Sequence, residues 1–170
     1  MRRRGILLLL LLLGGSACAG ARIERGVFYS DKGYRVNLPA GGWEVETTGP
    51  GDLVLRQPEW RAGILLHATC EGSAPRRSLT VLARHLTFGL KDKEVLEQSE
   101  VTVTGRPALR ALLQGRLDGT EVRMEAYVLK DDACVYDLVY VAPPGEFSRG
   151  RPDFGALLSS FHGPVRGGRP

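Results

Sequence analysis

Histidine and cysteine are scarce, three of each among 170 residues, which leaves little material for a metal centre or a cysteine–histidine nucleophile. No H-E-x-x-H, G-x-S-x-G, C-x-x-C or phosphate-loop pattern occurs, so the common signatures of zinc hydrolases, serine hydrolases, dithiol exchange and nucleotide hydrolysis are missing. Charge of one sign never accumulates. The formal charge is +4, but three of the 23 basic residues are Arg2, Arg3 and Arg4, leaving 20 against 19 acids in the rest of the chain. No basic stripe interleaved with aromatics appears, and this argues against nucleic acid as a partner. Nor is there a long hydrophobic run. The longest, Ile6 to Leu13, has eight residues, whereas a spanning helix needs about 20.

What that run does have is flanks. Arg2 to Arg4 precede it and the small residues Gly14 to Ala19 follow it, the layout of a secretory signal over residues 1–17. Gly15-Ser16-Ala17-Cys18 resembles a bacterial lipobox, in which the cysteine is acylated and becomes the new N-terminus. The usual aliphatic residue three positions before the cysteine is here Gly15. Ala17-Cys18-Ala19 is also an A-x-A site, after which an ordinary signal peptidase would release a secreted soluble protein without Cys18. Lipidation of Cys18, with 18–25 as its tether, is the reading adopted, and acyl chains on Cys18 would hold the protein to a membrane. Either cleavage leaves Cys70 and Cys134. An even pair in an oxidising compartment predicts a disulfide, the alternative being two separately buried thiols.

About 150 residues then remain for a single domain, 26–162, followed by a disordered tail, 163–170. Tyr34, Val36 and Leu38 alternate with polar neighbours as in a half-buried strand, broken by Pro39 to Gly42 and resumed by Trp43 and Val45. "DLVLRQ" and "AGILLHATC" predict two further strands. Ser78 followed by Leu79, Leu82, Leu86 and Leu90 predicts a capped amphipathic helix. Lys91 to Gln98 carries no readable period and is read as a connection.

The clearest element is a hairpin about Asp118-Gly119, a pair suited to the positive φ values of a type I′ turn. Folding there sets Gly115, Leu113, Ala111 and Leu109 against Val122, Met124, Ala126 and Val128 on an apolar face. On the other face Arg116 meets Glu121, Gln114 meets Arg123 and Arg110 meets Tyr127. Cys134 to Val141 predicts another strand. A two-residue loop before it would place Asp137 on the apolar face beside Val135 and Val139, and an odd-length loop would reverse the faces. Phe154, Leu157, Leu158 and Phe161 predict a second amphipathic helix.

The candidate sites are correspondingly few. His67 and Cys70 form H-x-x-C, but residues three apart in a strand point to opposite faces. Arg76 and Arg77 precede the first helix, where an anion such as a lipid phosphate could bind. Trp60, Tyr127 and Tyr140 are candidate contact anchors, since aromatics with polar handles suit binding surfaces. The competing reading is that such aromatics cover the sheet beneath a helix, as expected for Trp43. No cofactor or metal site is indicated.

Taken in order, the "NLPAGGW" strand exit, the strands, one helix, the "TGRPA" lead into a long hairpin, a last strand and a Phe-ended helix resemble the PsbP/Mog1-like domain, here in an exported bacterial form. The resemblance spans roughly 26–161. It implies an α+β fold, an antiparallel sheet with amphipathic helices packed against it. The family includes photosystem accessory proteins, a small-GTPase-binding protein and mycobacterial lipoproteins, which share the fold without sharing a catalytic site, so the fold alone does not fix function and the binding reading rests on the lack of a convergent catalytic constellation. The expectation is therefore a non-enzymatic accessory or adaptor module of the cell envelope, whose partner is an envelope protein or lipid. The rival is a periplasmic carrier holding a small amphiphile between sheet and helix. An enzyme would require scattered residues to converge in space.

Overall fold

A computed structural model describes residues 20–71, 74–86 and 89–164. Cys18, the signal segment 1–17 and the tail from 165 onward lie outside the described residues.

Asp118 and Gly119 take positive φ values, 48° and 82°, as the type I′ turn requires. Strands β8 (Arg106–Leu117) and β9 (Thr120–Lys130) flank them. Every pair named from the sequence is found, from Gly115 opposite Val122 to Leu109 opposite Val128. The charged side chains of the turn settle differently. Arg116 donates to the Gly119 carbonyl and Glu121 accepts from Gln114.

Strand β10 (Val135–Ala142) follows a four-residue loop, with Val135 paired to Lys130. The even length puts Asp137, with Val135 and Val139, on the apolar face of Ala126 and Val128. β10 pairs on its other side with β6 (Ala62–Thr69), then come β5 (Leu53–Gln57) and the short β4 (Glu44–Glu46). The segment read as a connection is instead β7 (Lys91–Val103), the far edge of the sheet. Its first eight residues are exposed on both faces and two register shifts interrupt its pairing with β8, so no period-two pattern is written into it. The result is a seven-stranded antiparallel sheet, in the order β4-β5-β6-β10-β9-β8-β7.

The stretch read as tether contributes structure as well. Arg22–Glu24 (β1), Val27–Tyr29 (β2) and Arg35–Asn37 (β3) form a three-stranded sheet. Three-residue strands are too short to show a period, which is why Arg22 to Gly26 looks like polar linker.

Both faces of the large sheet are covered. Helix α1 (Leu79–Leu86) lies over β8 and β9, with Leu79, Leu82 and Leu86 against Val128 and Val135. Ser78 Oγ accepts from the Val81 N–H at its start. Helix α2 (Phe147–Ser159) begins five residues before Pro152 and covers the opposite face together with β3. Phe147, Phe154, Leu157, Leu158 and the following Phe161 join Tyr34, Tyr136 and Tyr140 in the main core, each apolar side chain contributing about 1.5–3 kcal/mol by burial. Gly150 is needed where α2 crosses β10, because a Cβ there would lie 2.7 Å from the Tyr140 hydroxyl oxygen. The chain then returns to β3 through a reciprocal backbone pair between His162 and Arg35.

Candidate functional site: the two ends of the sheet

The strand directions give the domain two ends, and the sequence-derived candidates separate between them. At one end lie the β7–β8 turn (Thr104-Gly105), the β9–β10 loop and the close of β6. Cys70 and Cys134 are joined there by a disulfide with Cα atoms 4.0 Å apart. It extends the β6–β10 ladder by one step beyond the Thr69–Val135 pair.

Beside the disulfide is an open cleft of about 840 Å³, whose lining includes Arg76, Arg106, Lys130, Asp131, Asp132 and Pro164. Arg76 ends a single 3₁₀ turn, Ala74–Arg76. Lys130 Nζ donates to the carbonyls of Arg77 at 2.8 Å and Pro75 at 3.3 Å, tying that turn to the sheet. Arg106 packs its guanidinium 5.9 Å from the Phe161 ring centre. Asp131 is turned inward: one oxygen accepts the N–H groups of Ala133 and Cys134, the other accepts the Tyr136 hydroxyl at 2.8 Å. Burial alone would raise its carboxyl pKa, but these bonds hold it below the ordinary aspartate value.

At the opposite end Trp60 stands on the β5–β6 turn, half-buried and edge-on to Trp43. The Arg149 guanidinium lies 4.5 Å over the Trp60 ring, a cation–π contact, and is itself bonded to Glu59 and Glu146. Trp43 is half-buried at this edge rather than deep in the core, with Nε1 donating to Asp153 at 2.9 Å. Trp60 Nε1 is enclosed without a partner.

The other two aromatic candidates lie under α2. Tyr140 is wholly enclosed, stacked on Phe154 with its hydroxyl donating to the Phe147 carbonyl at 3.0 Å, so it cannot touch a partner. Strand β10 is covered on both faces, and alternation alone does not reveal that. Tyr127 is half-buried and its hydroxyl donates to Glu125 Oε1 at 3.2 Å.

Glu125 is the buried charge that sequence reasoning passed over. Its side chain is 3% exposed, yet it receives Arg110 Nε at 2.6 Å and Arg151 Nε at 2.8 Å, and Arg110 also reaches Glu97 at 2.6 Å. Burial would raise the Glu125 pKa, but the hydrogen bonds and charges of Arg151 and Arg110 lower it. The signal was present: the hairpin register sets Glu125 against Leu112, a carboxylate facing an apolar residue.

On the α1 face, β6 and β10 bring Asp137 opposite His67. Burial pushes the Asp137 carboxyl up to about 7. His67 Nδ1 lies 3.6 Å from Asp52, which also binds Lys32 and the Tyr34 hydroxyl. Asp137 and His67 thus share a register position on adjacent strands, while the imidazole itself is directed at Asp52. Cys70 of the H-x-x-C pair is locked in the disulfide.

No protein-family model matches the sequence, and no curated protein does. Solved structures do share the fold. Cyanobacterial PsbP from Synechocystis sp. PCC 6803 superposes with a TM-score of 0.60 at 15% identity, over 88% of this chain and 96% of that one. LpqN from Mycobacterium tuberculosis, involved in cell envelope biogenesis, gives 0.61 at 13% identity over 76% and 83%. A Bacteroides thetaiotaomicron protein gives 0.63 at 11% identity over 85% of this chain, which spans half the length of that protein. The chain therefore carries a PsbP-like fold. Fold likeness at this identity does not assign an activity.

Proposed function

We propose that this chain is an accessory or adaptor lipoprotein of the bacterial cell envelope, tethered through acyl chains on Cys18 and acting by binding rather than by catalysis. The Cys70–Cys134 disulfide fits an extracytoplasmic setting. The PsbP-like fold is one that LpqN, an envelope-biogenesis protein, also uses. The observation that carries the reading is the Trp60–Trp43–Arg149 ledge, a partly exposed aromatic and cationic surface at one end of the sheet, the composition that binding anchors favour. A carrier would need room between sheet and α2, where Tyr140, Phe154, Leu157 and Phe161 fill the layer.

Crosslinked capture from cells producing wild type or Trp60→Ala tests this. An anchor contributes about 1–2 kcal/mol, so the variant should hold its partner about 5- to 30-fold less tightly while keeping its disulfide. Equal capture by both would contradict it. So would turnover of an envelope substrate that disappears in His67→Ala or Asp137→Asn.

A further inference from the structure

We propose that the cleft lined by Arg76, Arg106 and Lys130 is the membrane-facing foot of the domain, seating phosphate groups of anionic phospholipid, with the Trp60 ledge directed away from the bilayer. This rests on acylation of Cys18.

Cys18 is four residues before Arg22, the first residue of β1, and four residues span at most about 14 Å. The polar interface outside the hydrocarbon takes up part of that, about 5–8 Å per leaflet. So short a tether brings whichever end of the domain holds Arg22 against the lipid headgroups.

Topology says which end that is. Arg22 pairs with Tyr29, and Tyr29 leads into the turn closed by the Ser30–Tyr34 and Gly33–Ser30 backbone bonds. That turn reaches the closing end of β6, since Lys32 Nζ donates to the Ala68 carbonyl and to Asp52. It also meets the cleft: a Cβ on Gly33 would lie 3.6 Å from Pro164, which lines it. The start of the domain, the disulfide and the cleft therefore share one end. The Trp60 turn and the Asp118-Gly119 turn occupy the other.

Charge is complementary at the same place. Three cations line the cleft. Of the two carboxylates there, Asp131 directs both oxygens into its own loop and Tyr136, and Asp132 is the second. Arg77 stands exposed beside them and Arg22 lies on the Tyr29 ring at 4.6 Å. The bilayer's negative surface potential acts within a Debye length, about 8 Å at physiological salt, so only cations at the tethered end of the domain can feel it.

The test uses the full lipidated protein reconstituted in vesicles of phosphatidylcholine, with or without roughly 30 per cent phosphatidylglycerol to supply an anionic surface. Pro107→Cys at the cleft and Thr120→Cys at the opposite turn are each labelled with a maleimide fluorophore, because Cys70 and Cys134 are paired and Cys18 is alkylated. Headgroup-spin-labelled lipid should quench the Pro107 probe several-fold more than the Thr120 probe, and the difference should grow with phosphatidylglycerol. Arg76→Glu with Arg106→Glu should abolish that growth while flotation with the vesicles persists. Arg76→Glu alone, at an exposed site, should reduce it and guards against misfolding of the double variant. Equal quenching at both positions, stronger quenching at Thr120, or indifference to both phosphatidylglycerol and charge reversal would overturn the foot while leaving the anchor intact. Protein that neither floats nor blocks its Cys18 thiol would overturn the anchored reading itself, and the orientation with it.

Discussion

Glu125→Ala is expected to destabilise the domain by about 3 kcal/mol or more, because removing one partner of a buried ion pair strands the other. The group that loses its buried partner is Arg110, whose side chain is only 12% exposed and which keeps just the solvent-exposed Glu97. Arg151 is about half exposed and can turn to water. Replacing both buried members, Arg110→Leu with Glu125→Leu, should recover most of the loss, since apolar side chains of similar volume often match a buried pair in stability. Urea midpoints at constant slope would measure this. A Glu125→Ala variant within about 0.5 kcal/mol of wild type would show that the cluster behaves as a surface ion pair. The effect also has a pH signature. The Glu125 pKa is lowered in the folded state, so its contribution is complete above the unfolded glutamate pKa and is lost as pH falls through the folded value. The gap between wild type and Glu125→Gln should therefore narrow on acidification. Asp137 acts in the reverse sense: raised to about 7, it favours the fold at low pH and loses that contribution as pH rises through that value.

Loss of the disulfide is the second large effect. Cys70 and Cys134 are 64 residues apart, and closing a loop of that length restricts the unfolded chain by about 4 kcal/mol in the chain-entropy treatment. Cys70→Ser with Cys134→Ser should lower the melting temperature by roughly 10–20 °C. The same variant loosens the cleft end, where the bridge fixes the β9–β10 loop beside Lys130 and Asp131. Nonreduced peptide mapping of protein from the envelope should show the bridge directly, and two freely alkylated thiols would contradict it.

How far residues alone reveal this molecule depends on how locally each feature is encoded. The β8–β9 hairpin was legible pair by pair because turn chemistry and both faces demand one register. Both helices were legible from their leucine and phenylalanine spacing, although α1 ends at Leu86, short of Leu90, and α2 starts earlier than its apolar stripe suggests and ends before Phe161. β7 was not, since an edge strand bathed on both faces needs no alternation. The face of Asp137 hung on the length of one loop. Tyr140 was misplaced because a central strand hides which of its faces a distant helix will cover, and Arg76 lines the cleft beside the disulfide. The meeting of Arg110, Arg151 and Glu125 draws on two strands and a helix, and no short window of sequence contains it.

The tether is the claim on which the functional account stands. Metabolic labelling with a clickable palmitate analogue, followed by mass analysis of the mature N-terminus, addresses it most directly. The account predicts a labelled protein beginning at an acylated Cys18, with label and membrane association both absent from Cys18→Ser. An unlabelled mature protein beginning at Gly20 and released from the membrane would contradict it.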